Sequence, residues 1–367
     1  VSARAVSDFA RVTRAEGLAL GAGVALRPAP GARLALQARA GEADRQAKAR
    51  LTLGTTRPNG LGLRMELSRD YPEAGDAPET SGARNSVAAQ EFGSDWTDPY
   101  DARSAALALD LPAPAAGGPL AGLRVSVGAE YAAQRAVAVR ARPFAGRYEP
   151  TLAADRLRLA RATVAAERGA APGPFGTTLG ASVRLAAART TLGCAPAGGR
   201  DGDGALCTGF VRGALSAQLA RPFGDRRLVL ATTAAGAAGR VPVQELALLG
   251  GPVTAPGYDF HALAGRAGAS QRVEWRAPVP FPGVSLGRYG RSPGTLTLAP
   301  YAHVAGVWRP AAARAGVPAV AGGAYPSLGL GAIGFFDLLR LDVARGLGRG
   351  GRWLLSVDVS RDFWRVL

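Results

Sequence analysis

Histidine, cysteine, methionine and lysine are nearly absent: the 367 residues contain two His, two Cys and one Met, and Lys48 is the one lysine. With Cys194, Cys207, His261 and His303 as the whole supply, a Cys₄ or Cys₂His₂ zinc site lacks either the ligands or the spacing. No cofactor is expected. Aromatics are 7% of the chain, too few for the interleaved stacking platform that single-stranded nucleic acid needs, so no nucleic acid partner is expected. No apolar run reaches the roughly 18 residues of a membrane-spanning helix, but a spanning β-strand needs only about 9–11 and escapes that test. The chain opens at Val1 without a charged-then-apolar leader, and further N-terminal sequence is expected upstream.

What is plentiful is arginine, glycine and proline. Lys+Arg total 44 against 28 Asp+Glu, a formal charge of +16, with 50 Gly and 26 Pro. The arginines are spread along the chain rather than clustered, which argues against a nucleic-acid footprint. Apolar and polar residues alternate with period two. In 60–70 the apolar set is Leu61, Leu63, Met65 and Leu67, with Arg64, Glu66, Ser68 and Asp70 on the other face. The same sorting separates Leu123, Val125, Val127, Ala129 and Tyr131 from Arg124, Ser126 and Glu130. It separates Val273 and Trp275 from Arg272, Glu274 and Arg276, and Leu339, Leu341 and Val343 from Arg340 and Asp342. A helix would not divide the residues this way.

Turn chemistry punctuates the runs. Short connections are Pro28–Gly31, Arg57–Gly60, Pro112–Gly118, Ala170–Pro174, Pro222–Asp225, Pro278–Gly283 and Phe335–Asp337. Longer ones are 72–100, 133–149, 191–207, 239–266 and 309–324, and the two kinds alternate over most of the chain. Strands are predicted at 1–12, 16–27, 31–41, 46–56, 60–70, 101–111, 119–132, 150–168, 175–190, 208–220, 225–237, 267–277, 293–308, 325–334, 337–346 and 351–364. That is sixteen, an even number that puts both termini on one side.

Alternating strands in even number, with short turns at one end and long loops at the other, predict an all-β fold, a transmembrane antiparallel up-and-down β-barrel of the bacterial outer membrane. Lipid offers a backbone no hydrogen bonds, so a sheet must close to cross it. A soluble sandwich or propeller fits less well, because no repeat of 40–50 residues is visible. Residues 1–367 are read as one barrel domain, monomeric, with outer-membrane lipid as its partner. By parity Arg33, Arg39, Arg64, Arg124, Arg272, Arg276 and Arg340 line the lumen with Glu66, Glu130, Glu274, Asp342 and Asp358, and His303 falls on the same lumenal side. They form either a rigidifying salt-bridge lattice or an anion path. Trp96, Tyr100, Trp275, Tyr301, Trp308, Trp353, Phe363 and Trp364 suit belts at the membrane interfaces.

From about Leu246 the chain resembles a known family. The segment LALLGGPVTAPGYDFHALAGR (246–266), then QRVEWR (271–276), LTLAPYAHVAGVW (296–308), SLGLGAIGFFDLLRLDVARGL (327–347) and GRWLLSVDVSRDFW (351–364), is similar in order and spacing to the C-terminal barrel of the bacterial surface antigen family. That family belongs to the superfamily of outer-membrane assembly factors and two-partner-secretion transporters. The resemblance implies that the 239–266 connection folds back into the lumen, with Pro256, Gly257, Tyr258, Asp259 and Phe260 at its tip. The family's Arg-Gly-aromatic tip is Pro256-Gly257-Tyr258 here, and the acid that holds that Arg aligns with His303, so both halves of the pair are replaced. The resemblance also implies periplasmic or enzymatic domains upstream, and a role in inserting or translocating unfolded polypeptide. A passive pore, and a membrane anchor for an upstream enzyme, are the other readings.

Catalysis within the barrel is not expected. A nucleophile–base pair would need His261 or His303, and no Gly-x-Ser-x-Gly elbow accompanies either. Cys194 and Cys207 flank a Gly-rich outer loop, and a disulfide there suits an oxidising compartment. The Asp201-Gly-Asp-Gly stretch inside it lacks the remaining ligands of a calcium loop.

Overall fold

The computed structural model describes residues 9–112, 122–194, 206–283, 285–314, 316–361 and 364. The Asp201 stretch, most of the Pro112–Gly118 turn, Phe363 and the first eight residues of the predicted first strand lie outside the described residues.

Seventeen strands share one sheet. They are β1 (Ala10–Thr13), β2 (Gly17–Leu26), β3 (Ala32–Gly41), β4 (Ala47–Thr56), β5 (Gly62–Asp70), β6 (Tyr100–Asp110), β7 (Leu123–Ala136), β8 (Leu157–Pro172) and β9 (Thr178–Thr190). The second half holds β10 (Thr208–Phe223), β11 (Arg226–Gly239), β12 (Ala247–Leu249), β13 (Leu263–Pro280), β14 (Thr295–Pro310), β15 (Gly323–Gly334), β16 (Leu339–Gly346) and β17 (Trp353–Val359). Each pairs antiparallel with the next, except that β13 takes β11 along its lower part and β12 along its upper part. The sixteen expected strands therefore correspond to β1–β11 and β13–β17. The extra one is a three-residue piece of the 240–262 loop, Ala247–Leu249, which continues the wall where β11 stops.

The period-two pattern becomes an inside and an outside. On β17 the outward Trp353, Leu355 and Val357 are 70%, 70% and 57% exposed, while Ser356 between them is buried. Outward leucines and valines are bared in the same way on β2, β5, β6, β8, β9, β15 and β16. Apolar surface of this extent all round a sheet has no stable arrangement in water and matches a lipid-facing band.

Short turns gather at one end and long loops at the other. The connection 281–294 is longer than the turn expected at Pro278–Gly283, and the long-loop end has brief connections at 14–16, 42–46 and 347–352. The alternation of loop length is thus a property of the middle of the chain.

The apolar core is unusual in being made of loops. Ala74, Leu152, Val243, Leu246, Leu248, Ala264 and Val317 form one buried cluster, drawn chiefly from the connections 71–99, 137–156, 240–262 and 311–322. A second joins Leu249, Ala255, Tyr258 and Leu263 to Ala305, Val307 and Tyr325 of the wall. Each fully buried Leu or Val contributes about 1.5–3 kcal/mol, so these loops are packed into the mouth of the barrel. The 71–99 connection also carries helix α1 (Gly82–Phe92). Ser81 caps its first turn by accepting from Arg84 N, and Gly93 at φ 67° ends it in the left-handed conformation.

Cys194 and Cys207 form a disulfide that closes the β9–β10 loop, with their Cα atoms 5.9 Å apart.

Candidate functional site

The strands β13, β14 and β16 bring the lumen residues of the last third together. Glu274, with 3% of its side chain exposed, is the centre. It accepts from Arg272 Nε at 3.0 Å, Arg276 Nε at 2.7 Å and Arg340 at 2.7 and 3.0 Å. Asp342 accepts from Arg340 at 2.6 and 2.8 Å and from Arg272 at 3.2 Å. The Arg272 guanidinium lies 3.5 Å from the Tyr301 ring centroid, a cation–π stack that only a planar cation makes well. Of the other lumen residues, Arg64 meets Asp110 at 3.4 Å, Glu66 meets Arg50 at 3.4 Å and Glu130 meets Arg161 at 3.9 Å. Arg124 faces Glu167 across the β7–β8 ladder. At the long-loop end Arg39 joins Arg11 and the buried Lys48 around Glu16. Arg33, on β3, sits opposite Gly54 in the ladder.

The 240–262 loop descends onto this hub. Its Pro252 carbonyl accepts from Arg272 at 3.5 Å and from Arg361 at 3.4 Å. The backbone amides of Val253 and Thr254 donate to Glu79 at 2.6 and 3.2 Å, and the Thr254 hydroxyl donates to it as well. A Cβ on Gly251, where φ is +113°, would lie 2.7 Å from Glu79 Oε2, so glycine is required there.

Pro256-Gly257-Tyr258 sits higher, against the wall. The Tyr258 hydroxyl donates to Pro326 O at 2.9 Å and accepts from Gly348 N at 2.8 Å. Arg352 N donates to Gly257 O at 2.8 Å, and a Cβ on Gly257 would come within 2.2 Å of Gly346 N. Asp259 pairs with Arg352, and Phe260 stacks on His261 at 3.7 Å and touches Trp96 at 5.9 Å. The loop backbone that meets the strand cations is therefore Pro252, and the 256–260 stretch clamps the loop to β15–β17. In place of a loop cation held by a wall acid, wall cations and a neighbouring loop's acid hold the loop backbone.

Glu79 belongs to the 71–99 connection, which ties three parts of the barrel together. Thr80 Oγ1 and Ser81 N and Oγ donate to Asp358 on β17 at 2.9, 3.0 and 2.5 Å. On the far side of the same segment, Val12 N of β1 donates to Ser86 Oγ at 3.1 Å, and Arg14 N donates to Asp95 at 2.6 Å. Val12 stands opposite Leu18 of β2 but gives its N–H to Ser86, so that N–H points to the edge of β1 away from β2. Among the described residues no pairing joins β1 to β17. Helix α1 and its flanks stand between the first strand and the last.

The two histidines sit in separate hydrogen-bond networks. His261 Nδ1 bonds Asp98 at 2.7 Å; Asp98 also holds Arg14 at 2.6 Å and Leu152 N at 3.2 Å. His303 Nε2 bonds Ser270 Oγ at 2.9 Å, but its Nδ1 is buried with no hydrogen-bond partner among the described residues, so the pair lacks the acid that would orient a base.

The acids of the 71–99 connection carry a pH dependence. Glu73 lines a cavity of about 210 Å³ with Arg11, Glu79, Asn85, Ser86 and Trp96. Glu73 is open to that cavity, and confinement there, with Asp98, Asp95 and Glu79 nearby, pushes its carboxyl up from the usual 4.5 to about 8. An acid whose folded pKa is raised supports the folded form fully below 4.5 and loses that support as pH rises through about 8. Hydrogen exchange of residues 71–99 is expected to quicken between pH 5 and pH 8.5 beyond the intrinsic increase, and Glu73→Gln to abolish the excess. Equal protection factors at both pH values would contradict this.

Of these residues the parity rule finds Arg272, Glu274, Arg276, Arg340, Asp342 and Asp358. Glu79, Asp95, Asp98 and Arg361 are not found by it, since they lie in loops or past a strand end, where no period exists.

No protein-family model matches the chain, and no curated protein does. Among solved structures it is similar to BamA from Haemophilus ducreyi lacking POTRA domains 1-3, with a TM-score of 0.55 and 15% identity over 95% of this chain and 67% of that one. It is also similar to CdiB from Acinetobacter baumannii, at a TM-score of 0.42 and 12% identity, over 95% of this chain and 58% of that one. The first of these carries the assignment: the chain has the BamA type of β-barrel fold, the fold that the surface-antigen resemblance of its last third implies.

Proposed function

We propose that the chain is the outer-membrane module of a protein that inserts or translocates polypeptides, and that the edge of β1 is where an incoming strand pairs. One observation carries this reading. The outward-pointing Val12 N–H of β1, and Arg14 N beyond it, are held by side chains of the 71–99 connection, not by a ladder to β17. Side-chain hydrogen bonds at a sheet edge are each worth about 1 kcal/mol and can be exchanged for main-chain bonds to an arriving strand. The same connection grips Asp358 on β17 and the 240–262 loop through Glu79, so displacing it from β1 would also loosen the lumen. The outward apolar band supports placement in a bilayer, and the short-turn end is read as periplasmic.

A photoreactive phenylalanine at Val12 tests this in cells. It is expected to crosslink to outer-membrane polypeptides undergoing assembly or export, whereas the same probe at Val127 on β7 is expected to capture only lipid. If a folded barrel with the probe at position 12 captures no polypeptide, the insertion reading fails and a pore or anchor remains.

A further inference from the structure

The cavity of about 210 Å³ that Glu73 lines lies between the first strand and the 71–99 connection, since Val12 and Thr13 of β1 form part of its wall. At about 30 Å³ per water it has room for roughly seven waters, or for an organic molecule of five or six heavy atoms. Its walls are of two kinds. Val12, Pro78 and Trp96 are apolar, while Glu73, Thr80 and Thr97 bring a carboxyl and two hydroxyls.

The charged groups around the cavity differ in what they meet. Arg11 gives Nε and a terminal nitrogen to Glu16 at 2.9 and 2.5 Å, so its charge is already paired. Both oxygens of Glu79 accept from Val253 and Thr254. Asp95 accepts from Arg14 N, Asn85 and Thr97, and Asp98 holds Arg14 and His261. For the Glu73 carboxyl no ion pair or hydrogen bond is found among the described residues, and it opens into the cavity. Three further acids, Asp98, Asp95 and Glu79, act on it electrostatically. A carboxylate in that company lacks a positive partner.

We propose that this cavity binds a small alkylammonium ion, its charged head on Glu73 and its tail against Val12, Pro78 and Trp96. The head offers three N–H donors, and hydrogen bonds from a cation to a carboxylate are roughly twice as strong as neutral ones. The apolar walls suit a short hydrocarbon tail. A divalent metal matches less well, because among the described residues no three metal-ligating side chains come together. The occupant bridges β1 and the 71–99 connection, beside the bond from Val12 N to Ser86 Oγ. Its consequence for strand entry at β1 rests on the reading above, whereas the binding itself does not.

The full chain, refolded in detergent and held at constant ionic strength, is to be titrated with butylammonium, 1-butanol and sodium, read by calorimetry and by hydrogen exchange of residues 71–99. Butylammonium is expected to saturate one site and to slow exchange there. 1-Butanol has the tail without the charge and sodium the charge without the tail, so neither is expected to do so. Glu73→Gln is expected to weaken butylammonium roughly tenfold to a hundredfold at pH 8.5, and Glu91→Gln, exposed on α1, to bind as wild type. Because the ion pairs with ionised Glu73, its affinity is expected to rise roughly tenfold for each pH unit up to about 8 and to level off above it. Equal effects of 1-butanol or sodium, unchanged binding by Glu73→Gln, or an affinity that is the same at pH 6 and pH 8.5 overturns the assignment. Each of those results leaves the crosslinking test at Val12 untouched, so the two readings fail separately.

Discussion

Glu274→Ala is expected to lower barrel stability by about 3–5 kcal/mol, the cost of removing one partner from a buried charge network. The size follows from the count of charges. Arg272, Arg276 and Arg340 converge on Glu274, and after its removal Asp342 alone is left to pair Arg272 and Arg340, while Arg276 loses its carboxylate. Arg272 and Arg340 are 4% and 6% exposed, so water cannot replace the lost carboxylate cheaply. Glu274→Gln keeps the shape and some hydrogen bonding but removes the charge, and is expected to fall between the two. Glu66→Ala is the control, because its pair with Arg50 is 3.4 Å long and about a third exposed, where ion pairs are worth under about 1 kcal/mol. Urea midpoints in detergent, read by the heat-dependent gel mobility of the folded barrel, measure all three. A Glu274→Ala barrel as stable as Glu66→Ala would show that the network carries little of the fold's energy.

That network was legible in the sequence because lipid imposes a strict rule on one face. Where every second residue must be apolar, the alternate positions are identified as lumenal without any structure, and Arg272, Glu274, Arg276, Arg340 and Asp342 fall there together. Strand positions were readable for the same reason, but not every bound: β8 begins at Leu157 and not at 150, and β17 ends at Val359 and not at 364. Three features were not. Ala247–Leu249 is apolar on both neighbours' terms and too short to show a period, so it read as loop. Helix α1 has Ser81 and Gly93 at its ends but no apolar stripe, since it packs against polar edge groups and its buried positions are Asn85 and Ala89. The contacts of Glu79 with Val253 and Thr254 join residues about 175 positions apart, and nothing local announces such a pair. The resemblance pointed to this loop, while the segment of it that meets the wall cations is Pro252, four residues before the expected tip.

Excising that loop should turn a filled barrel into a conducting one. Leu249 and Leu263 are cross-strand partners, so residues 250–262 can be replaced by an Asn-Gly pair, the shortest turn that joins two paired strands without strain. The wall register would be kept, and with it β12 and β13. What is lost is the lumen filling: Pro252 between Arg272 and Arg361, the Glu79 contacts, and Tyr258 wedged against Pro326 and Gly348. Single-channel conductance in planar bilayers is expected to rise several-fold over wild type, with anion selectivity, because the freed hub holds more arginine than carboxylate. Glu79→Ala is expected to give a milder version, brief openings instead of a steady one, since Tyr258 and Asp259 still clamp the loop to the wall. The helix remains after the excision, so a further rise is expected when Ser81→Ala and Asp358→Ala are added and the 71–99 connection loses its hold on β17. If the excised barrel folds with wild-type mobility yet conducts no better, the 240–262 loop does not seal the lumen, and the obstruction must be assigned to the other connections packed in the mouth, 71–99, 137–156 and 311–322.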